Sequence, residues 1–453
     1  MQYLESRRDD SVAVLTSRSQ CVRYKNTMDP AANLLSSLLQ RMVDYERLRP
    51  TEREWDLFTV ESLLRRKDAT VPSRPAIQVA GSKGKGTTGA FLEALATEAG
   101  LRAGNYSSPH LITLCERIRI SGESIRVECL EPILASLLEH SGSKPPTFFE
   151  AMTVAAVEYF AQQQVDLAIY EVGLGGRFDA TTAIDIDAAI VTRIELEHTD
   201  VLGDTIAAIA GEKAAVIRPN GLGLTATTGE ALEVTRAHAQ QVDAELLVMG
   251  EHFDLHNVAF DSSGARGLMS LPDGSRQQFL MPDATAVDLP ALALASATLS
   301  RLYPGLDLPL DPVPTPILPC RFEQRIDGDG EALILDGAHT KDSIEAVITE
   351  VQRRYPGSKP VILTSFALGK RWQEALSVVL PYADSFVVTE LTSTPGECPA
   401  HICAWLAEQG AQSEVATDVA TGLRKLRERP GPRLVVGSFY LAGAVRLLVD
   451  AHV

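Results

Sequence analysis

The chain has 453 residues, of which 45% are hydrophobic and 22% are charged. This length exceeds one ordinary hydrophobic core and predicts two or three domains. The formal net charge of -17 disfavours binding to nucleic acid or to anionic lipid. The longest apolar runs fall far short of the roughly 18 residues that span a bilayer. The composition therefore predicts a globular protein that binds neither nucleic acid nor a membrane.

The cysteines and the N-terminal residues bear on the cellular compartment. The six cysteines form no C-x-x-C pair and no zinc-like spacing with histidine, which favours reduced thiols and a cytoplasmic protein. Residues 1–27 lack the apolar core of a secretory signal. Three interpretations stay open for them: a disordered extension, a weak organelle-targeting segment, or a translation start assigned upstream of Met28.

The first half of the chain alternates between helical and strand-like sequence. Apolar residues recur at helical spacing from Pro30 to Leu64, which predicts an amphipathic helix. Short apolar runs at 76–80, 166–172 and 188–192 predict buried strands, and 151–162 between them predicts a helix. This alternation favours a mainly parallel sheet with helices on both faces.

The second half begins after a proline-rich segment. Six prolines lie between Pro304 and Pro319, and they prevent a regular helix or a central strand there. We interpret 304–319 as a linker between a domain at 28–303 and a smaller α/β, Rossmann-like domain at 320–453. The strand-like runs of this smaller domain are 332–335, 361–364, 386–388 and 434–436.

The loop at 81–87, with the sequence GSKGKGT, lies between the first predicted strand and the helical residues 91–95. Its glycines let backbone N–H groups point inwards, Lys85 can neutralise phosphate charge, and the Thr87 hydroxyl can ligate Mg²⁺. The loop departs from the strict G-x-x-x-x-G-K-[ST] pattern. A glycine-rich turn with a solvated lysine therefore stays open as an alternative at this point.

The spacing G-x-x-G-K-G-[ST] resembles the variant of this loop in folylpolyglutamate and dihydrofolate synthases, which are members of the Mur ligase superfamily. Further blocks resemble that family in order, and the resemblance extends from about Met28 to the end of the chain. These blocks are YSSPHL at 106–111, ERI at 116–118, FFE at 148–150, EVGLGGRFDAT at 171–181, EHTDVLG at 197–203, EKA at 212–214, CRFE at 320–323, DGAH at 336–339 and GSFYL at 437–441.

The resemblance implies a P-loop ATPase-type first domain and a nucleotide site shared by both domains. In the first domain, the nucleotide would contact Gly84, Lys85, Gly86 and Thr87. From the second domain, Arg321 would contact phosphate and Asp336 the ribose. A salt bridge between the domains is the structural alternative for these last two residues.

The resemblance also implies two magnesium ions and a modified lysine. Thr87 and Glu171 would hold one ion, and Ser108, Glu171 and His198 would hold the second. Lys85, His198 and Lys213 would be catalytic, and Lys213 would be carbamylated. The structural alternatives are a turn serine before proline at Ser108, a strand-end acid at Glu171, a loop histidine at His198 and a solvated helix lysine at Lys213.

The implied reaction is an ATP-dependent ligation of L-glutamate to dihydropteroate, to a folate, or to both, through an acyl phosphate. The partners would be small molecules, and the protein is expected to be a cytoplasmic monomer. Two alternatives stay open: a Mur-type ligase for a different acid and amine, and a P-loop nucleotide-binding protein without ligase activity.

The chain departs from the family's pattern in both predicted domains. Its Thr-Asn before Gly-Lys-Gly is Ser82-Lys83 here, its Asp-His is Glu197-His198, and its Asn near 289–291 is absent. Its Asp-Gly-Ala-His-Asn-Pro becomes DGAHTK at 336–341, after Cys320 in place of a glycine. These changes bear on adenine and amino-acid recognition and preserve the phosphate and metal chemistry.

Overall fold

The computed structural model describes residues 35, 37–44, 56–66, 75–141, 145–261, 264–391 and 395–451. The N-terminal extension at 1–27 lies outside the described residues. The helices are α1 (Phe58–Arg66), α2 (Lys85–Glu98), α3 (Val127–Glu139), α4 (Phe148–Gln162), α5 (Thr199–Leu202), α6 (Ile206–Ala214), α7 (Gly229–Gln241), α8 (Leu289–Leu302), α9 (Lys341–Arg354), α10 (Trp372–Ser377), α11 (Pro399–Glu408), α12 (Val419–Arg427) and α13 (Phe439–Asp450).

Within the described ranges the strands form three sheets of eight, three and six members. They are β1 (Ala76–Ala80), β2 (Ala103–Tyr106), β3 (Ile118–Ile120), β4 (Glu123–Ser124), β5 (Leu167–Glu171), β6 (Ala188–Val191), β7 (Leu222–Thr225), β8 (Glu245–Val248), β9 (Asp254–Asp261), β10 (Gly264–Ser270), β11 (Arg276–Met281), β12 (Glu323–Ile326), β13 (Ala332–Leu335), β14 (Val361–Thr364), β15 (Ser385–Thr389), β16 (Ser413–Ala416) and β17 (Arg433–Val436).

The eight-stranded sheet has the order β4-β3-β2-β5-β1-β6-β7-β8. Its strands are parallel except for the pairs β2–β3 and β3–β4. The central strand β1 is buried along its whole length, because helices cover both faces of the sheet with separate hydrophobic cores. Its one polar side chain, Gln78, donates 2.8 Å hydrogen bonds to the hydroxyls of Thr181 and Thr182. The carboxyl ends of β5, β1 and β6 therefore meet at one edge, where open α/β sheets bind ligands.

The three-stranded antiparallel sheet β9–β11 was not predicted from the sequence. Its strands mix exposed, partly buried and buried residues, and they lack the continuous apolar runs that marked the parallel strands. Phe253, just before β9, and Phe279 on β11 pack into the core on one side of the eight-stranded sheet. The small sheet is thereby an extension of the first domain.

The single helix predicted over 30–64 is wrong in its middle. Residues 41–44 are not helical, and α1 begins only at Phe58. The Val43 carbonyl accepts a 3.0 Å hydrogen bond from the N–H of Phe148, the first residue of α4, so its partner is a distant residue rather than one four positions further along the same helix. The apolar positions nevertheless face the core, since Leu35, Leu38 and Met42 are buried.

The six-stranded sheet has the order β12-β13-β17-β14-β15-β16, and only β12 is antiparallel to its neighbour. The four strand-like runs predicted in this half correspond to β13, β14, β15 and β17. The predicted class, two α/β units with mainly parallel sheets, is confirmed. Among the helices in the described ranges, none has both the length and the apolar character needed to cross a bilayer.

The proline-rich segment has no helix or strand between Leu302 and Glu323. It nevertheless packs against the first domain. Leu308 and Leu310 are buried there, and the backbone of Leu280 hydrogen bonds to Leu310 and to Val313. The segment therefore has a fixed path along the first domain before it enters the second.

Candidate active site

The loop at 81–87 connects the end of β1 to the start of α2. Gly81 has a φ of +144° and Gly84 a φ of +90°, conformations that favour glycine. The N–H groups of Ser82 and Lys83 donate to the carbonyl of Arg193 at 2.8 and 3.2 Å. The loop is thus tied to the segment that follows β6, and the amino terminus of α2 faces the sheet edge.

Thr192 fixes this loop at close range. Its hydroxyl donates a 2.7 Å hydrogen bond to the Lys83 carbonyl. A Cβ atom on Gly81 would lie 1.8 Å from the Thr192 hydroxyl oxygen, so only glycine fits. The Lys85 ammonium donates to the Gly81 carbonyl at 2.8 Å, which holds this cation over the loop. The geometry matches a phosphate-binding loop followed by a helix amino terminus.

Glu171 ends β5 beside the loop, because β1 and β5 are paired in parallel. Only 4% of its surface is exposed, and its Oε2 accepts a 3.1 Å hydrogen bond from the Ser108 N–H. Burial raises the pKa of this carboxyl, while the charges of Lys85 and Arg321 act in the opposite direction. Within the described residues Glu171 forms no ion pair.

Gly86 lies where both domains meet. A Cβ atom there would be 3.3 Å from a guanidinium nitrogen of Arg321 and 3.4 Å from Oε2 of Glu171. The amino terminus of α2, a buried carboxylate of the first domain and an arginine of the second domain therefore converge on one point.

The proposed metal ligands fit a magnesium ion, as judged from their chemistry. Thr87 lies in the first turn of α2 and is 8% exposed, and Glu171 offers an oxygen that no described residue hydrogen bonds. Mg²⁺ needs few protein ligands, since it keeps waters and binds phosphate oxygens. Ser108 lies beside Glu171 through its N–H. The structure shows no hydrogen bond between His198 and Glu171.

The buried Lys213 forms an ion pair with the partly buried Glu197 behind the loop. The Lys213 side chain is 2% exposed, and its ammonium donates to the Gly81 carbonyl at 3.0 Å and to Oε1 of Glu197 at 3.1 Å. Burial, followed by the charge of Lys85, lowers the pKa of Lys213 to about 8. The interpretation of Lys213 as a solvated helix lysine is therefore wrong.

The charges of Lys85 and Lys213 lower the pKa values of both Glu197 and His198. Burial alone would raise the pKa of Glu197, but the charges of Lys85 and Lys213 outweigh it, and the pKa is lowered. Removal of water from His198 lowers the pKa of its imidazole, although Glu197 opposes this effect. His198 has a φ of +48° at the start of α5, which turns the chain from the strand edge into that helix.

Arg321 reaches the site from a strained loop. Its neighbours Cys320 and Phe322 have φ values of +54° and +49°, which non-glycine residues seldom adopt. Its guanidinium carbon lies 5.7 Å from the centroid of the Phe439 ring. Across the described ranges Arg321 forms no ion pair, so the interdomain salt bridge considered as its alternative is not formed.

Asp336 holds this loop in place. Its Oδ2 accepts a 2.6 Å hydrogen bond from the Phe322 N–H, and its Oδ1 accepts one of 2.7 Å from the Ala338 N–H. Burial raises the pKa of this carboxyl to about 6. Each carboxylate oxygen keeps a second acceptor position, so contact with a ribose hydroxyl stays a prediction.

Three residues that contribute to the site were not singled out from the sequence. Thr192 anchors the loop, and Asp179 accepts hydrogen bonds from the N–H groups of Gly173 and Leu174. His339 lies in the second domain, and burial, together with Lys370 and Lys83, lowers its pKa to about 4. For Thr192 a signal existed, because it is the last residue of the strand predicted over 188–192.

Comparisons with known proteins identify the family of this chain. Residues 320–437 match the Mur ligase, glutamate ligase domain. A dihydrofolate synthase/folylpolyglutamate synthase of Escherichia coli is 30% identical over 431 residues, which cover 93% of this chain and 97% of that protein. A probable bifunctional folylpolyglutamate synthase/dihydropteroate synthase of Haloferax volcanii is 33% identical over 82% of this chain, but the match spans only 45% of that protein's length.

Solved structures extend the similarity to the whole fold. Escherichia coli FolC in complex with DHPP and ADP has a TM-score of 0.80 and 27% identity, and the match covers 94% of this chain and 99% of that one. A bifunctional folylpolyglutamate synthase/dihydrofolate synthase of Yersinia pestis, complexed with AMPPNP and a Mn ion, has a TM-score of 0.78 and 27% identity, with 95% and 100% of the two chains covered. The resemblance found in the sequence blocks is confirmed, and the chain belongs to the dihydrofolate synthase/folylpolyglutamate synthase family of ATP-dependent Mur-type ligases.

Proposed function

We propose that this chain ligates L-glutamate to dihydropteroate, to a folate, or to both, with ATP as the phosphoryl donor and an acyl phosphate as the intermediate. The observation that carries this proposal is the convergence of the loop at 81–87, Glu171 and Arg321 around Gly86. A P-loop nucleotide site completed by an arginine of a second domain suits a ligase, which must bring ATP and two further substrates together. The substrate names come from the relatives, and the site geometry supports the phosphoryl chemistry.

The nucleotide would lie between the domains. The backbone of Gly84 and Gly86, the ammonium of Lys85 and the hydroxyl of Thr87 would hold its phosphates, and Arg321 would contact them from the opposite side. Arginine suits this position because its planar guanidinium can donate two parallel hydrogen bonds to phosphate oxygens.

Thr87, Glu171, Ser108 and His198 would hold one or two magnesium ions. When bound, the metal neutralises charge on the phosphate oxygens and favours attack at phosphorus. Burial of Glu171 without an ion pair among the described residues supports this assignment, because such a carboxylate is best compensated by a cation.

The reaction would have two steps. In the first, a carboxylate oxygen of the acid substrate attacks the γ-phosphorus of ATP, the bond from that phosphorus to the β-phosphate oxygen breaks, and ADP and an acyl phosphate form. In the second, the neutral amine of glutamate attacks the acyl carbon, phosphate leaves, and the amine loses a proton. Lys85 and Arg321 would stabilise the transferring phosphoryl group, and closure of the second domain would exclude water.

We also propose that Lys213 is carbamylated in the active enzyme. A pKa of about 8 leaves more neutral amine at neutral pH than an ordinary lysine has, and the neutral amine reacts with CO₂. The ion pair with Glu197 represents the unmodified state. We expect Lys213→Ala to lose most activity and to regain part of it with formate or acetate, whereas Lys213→Arg should not respond.

Carbamylation itself can be observed directly. A ¹³C resonance should develop after incubation with ¹³C-bicarbonate in the wild-type protein and should be absent in Lys213→Arg. Full activity of bicarbonate-depleted protein, shown to be unmodified, would remove carbamylation from the mechanism.

The ligase activity is tested by the coupling of ATP consumption to substrate. Purified protein is given ATP, Mg²⁺ and L-glutamate with dihydropteroate, tetrahydrofolate or a simple acid, and ADP, phosphate and the amide product are measured. We expect phosphate release in equal amounts to amide, and only with a pterin-containing acid. ATP hydrolysis that is independent of acid and amine would contradict the proposal, and activity with a different acid would replace its substrate.

A further inference from the structure

Two adjacent arginines at the end of α9 connect the second domain to the first. Arg353 donates a 3.3 Å hydrogen bond to the Ala284 carbonyl. Arg354 donates to the carbonyls of Asp283 and Ala284 at 2.7 and 3.3 Å. The same buried carboxylate, Glu350, binds both guanidinium groups. The pair therefore forms a polar contact between the domains, on the segment that precedes α8.

Only Arg354 also contacts the loop that presents Arg321. Its guanidinium carbon lies 4.9 Å from the centroid of the Phe322 ring, and its Nη1 donates a 3.1 Å hydrogen bond to the side chain of Gln324 on β12. Arg353 instead lies 4.8 Å from the ring of Phe260 in the first domain. The two arginines thus share the domain contact and differ in their contact with the Arg321 loop.

The Arg321 loop requires support because of its backbone. Cys320 and Phe322 both have left-handed φ values, a conformation that is unfavourable for non-glycine residues unless their surroundings hold it. Asp336 holds the Phe322 N–H from inside the second domain, while Arg354 covers the Phe322 ring. Arg354 is itself held by backbone carbonyls of the first domain.

We propose that Arg354 is a positioning residue that couples docking of the second domain to the orientation of Arg321, and so to nucleotide affinity. When the domains dock, Arg354 binds the carbonyls of Asp283 and Ala284 and fixes Phe322. Arg321, the next residue in the chain, is then directed at the point beside Gly86. This inference rests on the proposed function in one respect: that Arg321 binds the phosphates.

The test measures AMPPNP affinity by calorimetry for the full-length wild type, Arg354→Ala, Arg321→Ala and the double variant. We expect Arg354→Ala to weaken affinity about tenfold, a size typical of coupled neighbouring residues. In the Arg321→Ala background the same change should have little further effect, because its action passes through Arg321. Additive effects of the two substitutions would overturn the proposal.

Arg353→Ala is the matched control, since it removes an arginine from the same domain contact and the same Glu350. It should lower thermal stability about as much as Arg354→Ala while AMPPNP affinity stays near the wild-type value. Equal losses of affinity in both variants would show that the domain contact alone matters and would overturn a specific role for Arg354.

Arg354→Lys covers the case in which the alanine variant folds poorly. Lysine keeps a charged donor for the carbonyls of the first domain, but it lacks the planar guanidinium over Phe322 and the second nitrogen that donates to Gln324. We expect stability close to the wild type with a several-fold loss of affinity; unchanged affinity would contradict the proposal. If Arg321→Ala itself leaves AMPPNP affinity unchanged, the phosphate role of Arg321 fails, which is a separate result from failure of the Arg354 coupling.

Discussion

Lys85 is the residue whose charge reaches most of the candidate site. It donates to the Gly81 carbonyl, and its charge acts on the pKa values of Glu171, Glu197, His198 and Lys213. Its side chain is only half-buried and makes one hydrogen bond to the residues that the structure describes, so its contribution to folding is small. These observations separate its chemical role from its structural one.

Lys85→Ala should lower turnover by about a hundredfold or more, because preorganised charge at a transferring phosphoryl group is usually a large contribution to catalysis. The thermal unfolding temperature should stay close to that of the wild type. Steady-state kinetics of amide formation and calorimetry on one preparation check both statements. Lys85→Arg is the control, since it keeps the positive charge but replaces the compact ammonium with a guanidinium, and it should recover little activity. Near-normal turnover of Lys85→Ala would refute the role of Lys85 at the transferring phosphoryl group.

His339 provides a prediction for the dependence of stability on pH. Its pKa is about 4 in the folded protein and about 6.5 when unfolded, so the folded protein resists its protonation. The contribution of neutral His339 to the free energy of unfolding is fully present above pH 6.5 and is lost as the pH falls towards 4. By the usual conversion the loss is at most about 3 kcal/mol.

The expected result is that His339→Gln loses less stability than the wild type between pH 6.5 and 4. Asp336, whose pKa is raised to about 6, acts in the opposite direction in both proteins, so only their difference reports His339. Unfolding free energies at several pH values in this window check the prediction. Parallel curves for the two proteins would show that His339 protonates freely in the folded state.

At the scale of elements, the phosphate-binding loop depends on close packing between Gly81, which follows β1, and Thr192, which follows β6. Gly81→Ala should destabilise the first domain, because the added Cβ would lie 1.8 Å from the Thr192 hydroxyl oxygen. Gly250→Ala is the matched control: Gly250 also has a positive φ, of +87°, but no atom within 4 Å of the added Cβ.

The loss for Gly81→Ala should exceed the loss for Gly250→Ala by about 2 kcal/mol or more, the usual size of a severe steric effect. Differential scanning calorimetry measures both. If the two variants unfold at the same temperature, the loop relaxes around the added methyl group, and its shape does not depend on contact with Thr192.

Elements with continuous apolar runs were predictable, and those with mixed patterns were not. Strands β1, β13 and β14 match the predicted runs residue for residue, since strands buried on both faces read as unbroken hydrophobic sequence. The antiparallel sheet β9–β11 has no such run. The prediction of a helix over 30–64 was wrong in its middle. Apolar periodicity does not show that a backbone carbonyl, here that of Val43, accepts its hydrogen bond from a residue distant in sequence.

At the scale of the whole molecule, the proposed nucleotide site exists only when both domains are docked. Arg321→Ala should weaken ATP binding and slow phosphoryl transfer, and it should leave thermal stability nearly unchanged because Arg321 forms no ion pair in the described parts of the chain. Calorimetric ATP affinity and thermal unfolding of the same preparation check this. A large loss of stability with unchanged ATP affinity would make Arg321 a structural residue and refute the cross-domain site.

The sequence by itself determined the class of fold, the loop at 81–87 and the order of the family's blocks, because glycine spacing, a lysine and apolar runs act locally. Tertiary structure alone decided that Lys213 is buried against the Gly81 carbonyl, 132 residues away in the chain, and that Arg321 and Glu171 both approach Gly86. Such contacts depend on strand order, with β1 between β5 and β6, and on domain docking. Neither is encoded in the spacing of residues along one segment, since each results from burying the separate hydrophobic faces of the whole chain at once.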